Sequence, residues 1–316
     1  MNRRDFLVRS SLLVSAGLWP RARLFSAETV VAPAAPKAPP SPPVTEFRPL
    51  RRGVGLFTGR GGAIGWLVNR DALAVVDTQF PDTAALCLAG LPGRDARRID
   101  VVINTHHHGD HTSGNAVFKA VAKSIVAHEN APKLQLARAE KDGTVDKQVF
   151  ADTTFPEAWR RDLGDETVTA QYFGAAHTNG DIVVHFERAN VVHMGDLTFN
   201  RIYPVIDRPG GASIRGWITL LEQVVKTYPA DAIYIFGHGN AKFGVTGGHA
   251  DIAAFRDYLS GLLAHVEKEI AAGKTKEQIV ALENLPGFEP FHLPLPNRLG
   301  SNLGVAFDEL TAKTSG

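Results

Sequence analysis

Apolar residues along the chain fall into short runs that predict strands and into longer segments whose spacing predicts helices. The short runs predict strands at 54–58, 63–68, 73–76, 100–104, 125–127, 167–173, 182–186, 190–194 and 232–236. The longer segments predict helices at 81–91, 131–141, 213–227, 249–272, 275–282 and 302–311. Two strand-rich halves, each with its own helices, indicate an α/β fold in which stacked sheets are covered on the outside by helices.

The first 31 residues have the pattern of a secretory signal peptide. The first 27 residues contain five arginines and one aspartate, and an apolar run at 10–19 follows the first three arginines. That run is too short to span a bilayer, which takes about 20 residues, but a basic start before a short apolar run is typical of a signal. The alternatives are an amphipathic N-terminal helix and a disordered basic arm.

The paired Arg3 and Arg4, followed by Phe6 and Leu7 after one aspartate, resemble the twin-arginine class of bacterial signals. The interpretation predicts that the twin-arginine translocase exports the protein to the periplasm or beyond. Residues 32–49 hold seven of the 19 prolines and predict an extended linker. The folded domain is therefore predicted to span residues 50–316.

Composition narrows the possible partners and cofactors. The 316 residues carry a net charge of +1, and 44% of them are hydrophobic, which is enough for a sizeable core. A nearly neutral chain has no basic surface for nucleic acid, so we expect no nucleic-acid partner. Cys87, the single cysteine, excludes an intrachain disulfide and a cysteine-based zinc cluster. Its place in a predicted helix favours a buried hydrophobic role.

A histidine-rich motif directly follows the strand predicted at 100–104, and its residues are His106, His107, His108, Gly109, Asp110 and His111. Alternation along an extended chain lets His106 and His108 point the same way and turns His107 away from them. Imidazoles and a carboxylate at this density are the ligands that a borderline divalent metal requires. The motif predicts a metal site on a loop, with His107 in a structural or supporting role.

Three further candidates, His177, Asp196 and His238, each follow a predicted strand and have glycines close by. Glycine allows the backbone to come close to a site. Together with the histidine motif, these residues resemble the metallo-β-lactamase superfamily in motif order over residues 53–240. The resemblance implies an αββα sandwich with the metals at one edge.

The resemblance also implies a complete ligand set for two metal ions. The first ion would be held by His106, His108 and His177, and the second by Asp110, His111 and His238. Asp196 matches the bridging carboxylate of the glyoxalase II and lactonase branches, and Asp77 matches an aspartate that supports the ligands without binding the metal. The implied cofactor is two zinc ions per chain, with iron or manganese as alternatives.

By resemblance, the protein is a zinc-dependent hydrolase in which a metal-bound hydroxide attacks a carbonyl group and Asp110 shuttles the proton. The substrate would be a small ester, thioester, lactone or β-lactam. Many β-lactamases have Cys or Ser where this chain has Asp196, which argues against the cysteine-bearing subclasses. The alternatives are a phosphodiesterase of the same fold, an oxidoreductase similar to the persulfide dioxygenases with a single iron, and a non-catalytic binding protein.

Residues near the later motifs are candidates for a substrate pocket, namely Asn179, Phe199, Asn200 and Tyr203. Asn179 would orient a carbonyl group. The hydroxyl of Tyr203 would donate to an oxyanion, although an aromatic side chain in a loop is as readily explained by packing on the core. The identity of the substrate and the oligomeric state stay open at this point.

Overall fold

The computed structural model describes residues 44–291 and 297–312, so the predicted signal peptide and most of the predicted linker lie outside the described residues. All elements below belong to the unit that spans residues 42–316. The first sheet contains seven strands, which are neighbours in chain order: β1 (Glu46–Arg51), β2 (Val54–Thr58), β3 (Ile64–Val68), β4 (Leu73–Val76), β5 (Val101–Ile103), β6 (Ile125–His128) and β7 (Thr153–Phe155). Strands β1 to β4 pair antiparallel, and β4 to β7 pair parallel.

The other strands are β8 (Ala158–Leu163), β9 (Glu166–Tyr172), β10 (Ile182–Phe186), β11 (Val191–His193), β12 (Phe199–Asn200), β13 (Ile233–Ile235), β14 (His238–Gly239) and β15 (Thr246–Gly247). Six of them form the second sheet in the order β15-β13-β11-β10-β9-β8. The two short strands β12 and β14 pair parallel with each other. Within the second sheet, β11 and β13 are parallel neighbours, so both end at the same edge.

The helices are α1 (Pro81–Gly90), α2 (Gly109–Thr112), α3 (Asn115–Lys119), α4 (Asn130–Asp142), α5 (Ile214–Thr227), α6 (His249–Ala271), α7 (Lys276–Val280) and α8 (Arg298–Thr311). Helix α5 begins where the side chain of Ser213 accepts a hydrogen bond from the backbone N–H of Gly216 at 3.0 Å. Among the described helices, none has the length and apolar composition that crossing a membrane requires.

Alternating side chains of the strands divide the core into three clusters. In β4, Ala74 and Val76 face the second sheet, and Val75 packs in the cluster that includes residues of α1 and α3. In β10, Val184 faces the first sheet, and Val183 packs in the cluster that includes residues of α5, α6 and α8. Because each strand buries both faces, the layers run helix, sheet, sheet, helix. The predicted α/β class and αββα sandwich are therefore confirmed.

Several boundaries differ from those predicted. Strand β1 starts at Glu46, so the last four residues of the predicted linker at 32–49 belong to the first sheet. Pro49 made this segment resemble a linker. The segment forms an edge strand instead, where the missing N–H of proline is tolerated. The second half of the histidine motif forms the short helix α2 instead of a loop. Cys87 is fully buried in α1.

Candidate metal centre

Five chain segments carry the predicted site residues to one edge of the sandwich. Asp77 follows β4, the histidine motif at 106–111 follows β5, and His177 lies in the connection from β9 to β10. Asp196 lies in a helical turn after β11, and His238 opens β14 shortly after β13. Because the strands before four of these segments run in parallel pairs, their carboxyl ends deliver the side chains to the same place.

Backbone hydrogen bonds connect these segments across the two sheets. The N–H of Ala63 donates to the carbonyl of Gly237 at 2.9 Å, and the N–H of Ile182 donates to the carbonyl of Thr105 at 2.9 Å. A Cβ atom on Gly237 would overlap the carboxylate of Asp196, so only glycine allows this close approach. The site is therefore built on backbone that the fold holds in place.

The first group of side chains that converge contains His106, His108, His177 and Asp196, each offering one ligand atom within 4.8 Å of the others. His108 Nδ1 lies 3.0 Å from His177 Nε2. Asp196 Oδ2 lies 3.5 Å from His177 Nε2 and 3.8 Å from His106 Nε2. This arrangement matches the three histidines that the resemblance implied for the first metal.

The second group contains Asp110, His111 and His238, whose ligand atoms also lie within 4.8 Å of one another. Asp110 Oδ2 is 3.0 Å from His238 Nε2 and 3.8 Å from His111 Nε2. The two Nε2 atoms of His111 and His238 are 3.5 Å apart. The structure thus brings together all three side chains that the resemblance implied for a second metal.

Asp196 lies between the two groups and contacts both. Its Oδ1 atom is 3.0 Å from His111 Nε2 and 3.4 Å from His238 Nε2, in the second group. Its Oδ2 atom faces His106 and His177 of the first group. A carboxylate with one oxygen toward each group has the geometry of a bridging ligand.

The donor set fits divalent metal ions. His106 Nε2 is buried and has no hydrogen-bond partner among the described residues. An unsatisfied buried polar atom costs about 1–3 kcal/mol, so such atoms need a ligand. Imidazole nitrogens and carboxylate oxygens, with no thiolate among them, are ligands that zinc accepts in sites that also bind water or substrate.

Asp77 orients the ligands from behind, as the resemblance implied. Its carboxylate accepts hydrogen bonds from Thr105 N, Thr105 Oγ1 and His111 Nδ1, each at 2.7 Å. An acceptor at this position holds the proton of His111 on Nδ1, which leaves the Nε2 lone pair facing the metal site. Asp77 has a φ of 65° and is fully buried, so the turn after β4 is built to present this carboxylate.

Asp207 is a functional residue that sequence reasoning missed. Its Oδ2 atom lies 2.9 Å from His108 Nε2 and 3.4 Å from His107 Nε2. It therefore directs His108 Nδ1 toward the centre and gives His107 the supporting role expected from strand alternation. A single aspartate in a stretch that ends in Pro209 and Gly210 is typical of a turn, so the sequence carries no metal-site signal there.

The pKa values agree with metal binding at neutral pH. Burial lowers the pKa of His106 well below its usual value and that of His177 to about 3, so both imidazoles are neutral. Burial opposes the charge of Asp196, but the charges of His238 and His111 outweigh it and lower its pKa. Neutral imidazoles and ionised carboxylates are the protonation states that bind metals.

His111 differs from the other buried histidines because acidic groups surround it. Burial opposes its charge, but the carboxylates of Asp196, Asp77 and Asp110 together outweigh burial and raise its pKa well above the usual value. The second group therefore attracts positive charge, and a divalent ion would replace the proton there.

A cavity of about 210 Å³ opens beside the centre. It is lined by His108, Asp110, Asp196, His238, Phe199, Ile202, Tyr203, Val205 and Arg298. Phe199 and Tyr203 lie where a substrate pocket was predicted, and Arg298 was not anticipated because it comes from the far C-terminal helix α8.

Asn179 and Asn200, the other two predicted pocket residues, do not line this cavity. The side chain of Asn200 donates to the carbonyl of Gly244 at 3.0 Å and accepts from Arg201 at 2.8 Å. The side chain of Asn179 accepts from the hydroxyl of Tyr172 at 2.5 Å. Both amides are therefore held by hydrogen bonds within the protein, and their role in substrate binding stays a prediction.

The comparisons with known proteins agree with this fold and site. Residues 57–238 match the family model of the metallo-beta-lactamase superfamily. The chain belongs to this superfamily, and it is a metal-dependent hydrolase.

Two relatives show which hydrolases the sequence is similar to. A metallo-beta-lactamase type 2 of Bacillus cereus is 26% identical over 59% of this chain and 71% of the relative. A hydroxyacylglutathione hydrolase of Cereibacter sphaeroides is 29% identical over 55% of this chain and 61% of the relative.

Two solved structures share the fold at low sequence identity. A metallo-beta-lactamase from Pontibacter korlensis has a TM-score of 0.58 and 16% identity, covering 69% of this chain and 99% of that one. A stereoselective inverting sec-alkylsulfatase from Pseudomonas sp. has a TM-score of 0.64 and 15% identity, covering 81% of this chain and 49% of that one. The chain thus spans about half the length of the sulfatase.

Proposed function

We propose that the protein is a dinuclear zinc hydrolase that cleaves a small carbonyl compound, namely an ester, thioester, lactone or β-lactam. The observation that carries the proposal is Asp196, whose two oxygens face the two ligand groups separately. A mononuclear iron oxidoreductase would need only the first group, and the complete second group therefore favours hydrolysis with two ions.

The chain's own residues divide the work as follows. Zinc, when bound, would supply Lewis acidity and lower the pKa of ligated water to about 7. His106, His108 and His177 would hold one ion, Asp110, His111 and His238 the other, and Asp196 both. Asp110, whose side chain is 30% exposed at the cavity, is placed to take a proton from the attacking water.

In the overall reaction, the oxygen of water bonds to the carbonyl carbon and the bond from that carbon to oxygen, sulfur or nitrogen breaks. The proton that Asp110 takes up passes to the leaving group, so no oxidant or reductant is needed. No serine or cysteine nucleophile is required, and Cys87 is fully buried in α1.

The two relatives support carbonyl chemistry without identifying the substrate. One is named for β-lactam hydrolysis and the other for hydrolysis of a glutathione thioester. Asp196 in place of cysteine separates this chain from the cysteine-bearing β-lactamases. The chain covers 61% of the thioester hydrolase, so the activity of that whole protein does not carry over directly. Thioester hydrolysis is therefore one of the four substrate classes proposed for this chain.

The test is metal analysis of the purified protein together with turnover of four probes: nitrocefin, an acyl homoserine lactone, a glutathione thioester and bis-p-nitrophenyl phosphate. We expect about two zinc ions per chain, turnover of a carbonyl probe, and loss of turnover after chelation that added zinc reverses. One iron per chain would instead identify an oxidoreductase. Turnover of the phosphate diester alone would identify a phosphodiesterase.

We also propose that the twin-arginine route exports the protein to the periplasm. The support is the paired Arg3 and Arg4 before a short apolar run. Replacing both by lysine should leave the precursor in the cytoplasm, as measured by cell fractionation. The matched control replaces Arg21 and Arg23 by lysine and should be exported normally. Export of the Arg3→Lys, Arg4→Lys variant at the normal rate would contradict the proposal.

A further inference from the structure

The cavity beside the metal centre has one arginine, a permanently charged group that the metal ligands do not explain. Of its nine lining residues, four are candidate metal ligands and four are the side chains of Phe199, Ile202, Tyr203 and Val205. The ninth is Arg298. The aromatic wall is well packed, since the ring of Tyr203 lies 5.5 Å from that of Tyr258 and 6.2 Å from that of Phe291. Arg298 is therefore the one cation among the described residues that line this cavity.

Arg298 has no ionic partner within the part of the chain that the structure describes. It is the first residue of α8 and is half-buried, and no carboxylate lies within 4.0 Å of its guanidinium among residues 44–291 and 297–312. The two arginines of the neighbouring loop both have partners: Arg201 contacts Asp251 at 3.0 Å, and Arg208 contacts Glu309 at 3.9 Å. A guanidinium stays protonated in proteins, so the charge of Arg298 is not lost by burial.

A partly buried cation without a partner is costly to the free protein, and an anion that enters the cavity would offset this cost. The planar fork of a guanidinium matches a carboxylate with two parallel hydrogen bonds. The candidate ligands Asp110 and Asp196 line the same cavity, but bound metal ions would neutralise them. A substrate whose scissile carbonyl lies at the metal centre would then place its other end against the apolar wall and Arg298.

We propose that Arg298 binds a carboxylate of the substrate, and that the enzyme prefers small carbonyl compounds that carry a carboxylate separated from the scissile bond by an apolar spacer. The inference rests on the proposed function, because it places the scissile carbonyl at the metal centre. Arg298 would determine which substrate binds, and the attack on the carbonyl would take place at the metal centre.

The test compares two esters that differ only at the far end of the acyl chain. Mono-p-nitrophenyl glutarate carries a terminal carboxylate, and p-nitrophenyl pentanoate carries an uncharged methyl group at the same position of the chain. The wild-type protein, loaded with zinc, should have a kcat/KM roughly 10- to 100-fold higher for the glutarate ester. In Arg298→Gln this ratio should fall toward one, and in Arg298→Lys it should be intermediate, since lysine offers a point charge without the fork.

The matched control is Arg256→Gln, which removes an exposed arginine of α6 that contacts Asp257. It changes the net charge equally and should keep the wild-type ratio. Binding of glutarate and of pentanoate to the zinc-loaded proteins, measured by calorimetry, gives a readout without turnover. Tighter binding of glutarate should likewise disappear in Arg298→Gln.

The outcomes separate the two proposals. If neither these esters nor the three carbonyl probes named above are hydrolysed but glutarate binding depends on Arg298, carbonyl hydrolysis is wrong and anion recognition by Arg298 stands. If both esters are hydrolysed with equal kcat/KM, the inference is overturned and the proposed function stands. A preference for glutarate that persists in Arg298→Gln also overturns it.

Discussion

Replacing His106 and His108 by alanine together should abolish metal uptake and hydrolysis at the same time. The two side chains supply the first group with two of its three imidazoles, and His106 Nε2 is a buried atom with no other described partner. A supporting residue contributes roughly 10- to 100-fold to metal affinity or activity, so loss of two ligands should exceed that range. Metal analysis after gel filtration and the initial rate on the best carbonyl probe provide the measurement.

The matched control for this variant is His249→Ala with His265→Ala. Both histidines lie in α6 and belong to neither ligand group, so the control removes the same number of imidazoles. It should keep its metals and its turnover. Turnover by the His106→Ala, His108→Ala protein at the rate of the control would show that the first group is not the catalytic metal site.

The second large effect is expected from Asp77→Asn. The amide keeps the shape of the side chain and tolerates the positive φ, but it places an N–H₂ group opposite His111 Nδ1, which now lies 2.7 Å from a carboxylate oxygen. The imidazole would then accept at Nδ1 and carry its proton on Nε2, where the metal should bind. We expect zinc affinity at the second group to fall roughly 10- to 100-fold, measured by competition with a chromophoric chelator.

The control for Asp77→Asn is Asp82→Asn. Asp82 is a half-exposed acid whose carboxylate contacts Arg60 at 2.7 Å, and its loss should leave zinc affinity unchanged because it lies outside both groups. Equal affinity in Asp77→Asn and the wild type would mean that Asp77 does not set the proton position of His111.

Much of the site was predictable because its residues stand directly after strands. A strand fixes where its last side chain points, and parallel neighbours end together, so His106, Asp196 and His238 could be placed from pattern and resemblance. His177 follows an antiparallel strand and was placed by motif order and resemblance. The layered fold followed for a similar reason: strands that bury both faces read as continuous apolar runs.

The features that were missed depend on contacts between distant segments. Asp207 contacts His108, which lies 99 positions earlier in the chain, and His107 beside it, and nothing near Asp207 in sequence marks this role. Arg298 reaches the cavity because α8 begins earlier than the predicted start at residue 302.

The candidate ligands come from both sheets, which has a consequence for the kinetic stability of the protein. Four of them follow β5 of the first sheet, and His177, Asp196 and His238 follow β9, β11 and β13 of the second. A bound ion would therefore cross-link the two sheets of the sandwich, as a disulfide would in a chain with more than one cysteine. The rate of global unfolding, and with it survival against proteases, should thus be set by metal occupancy as well as by the hydrophobic core.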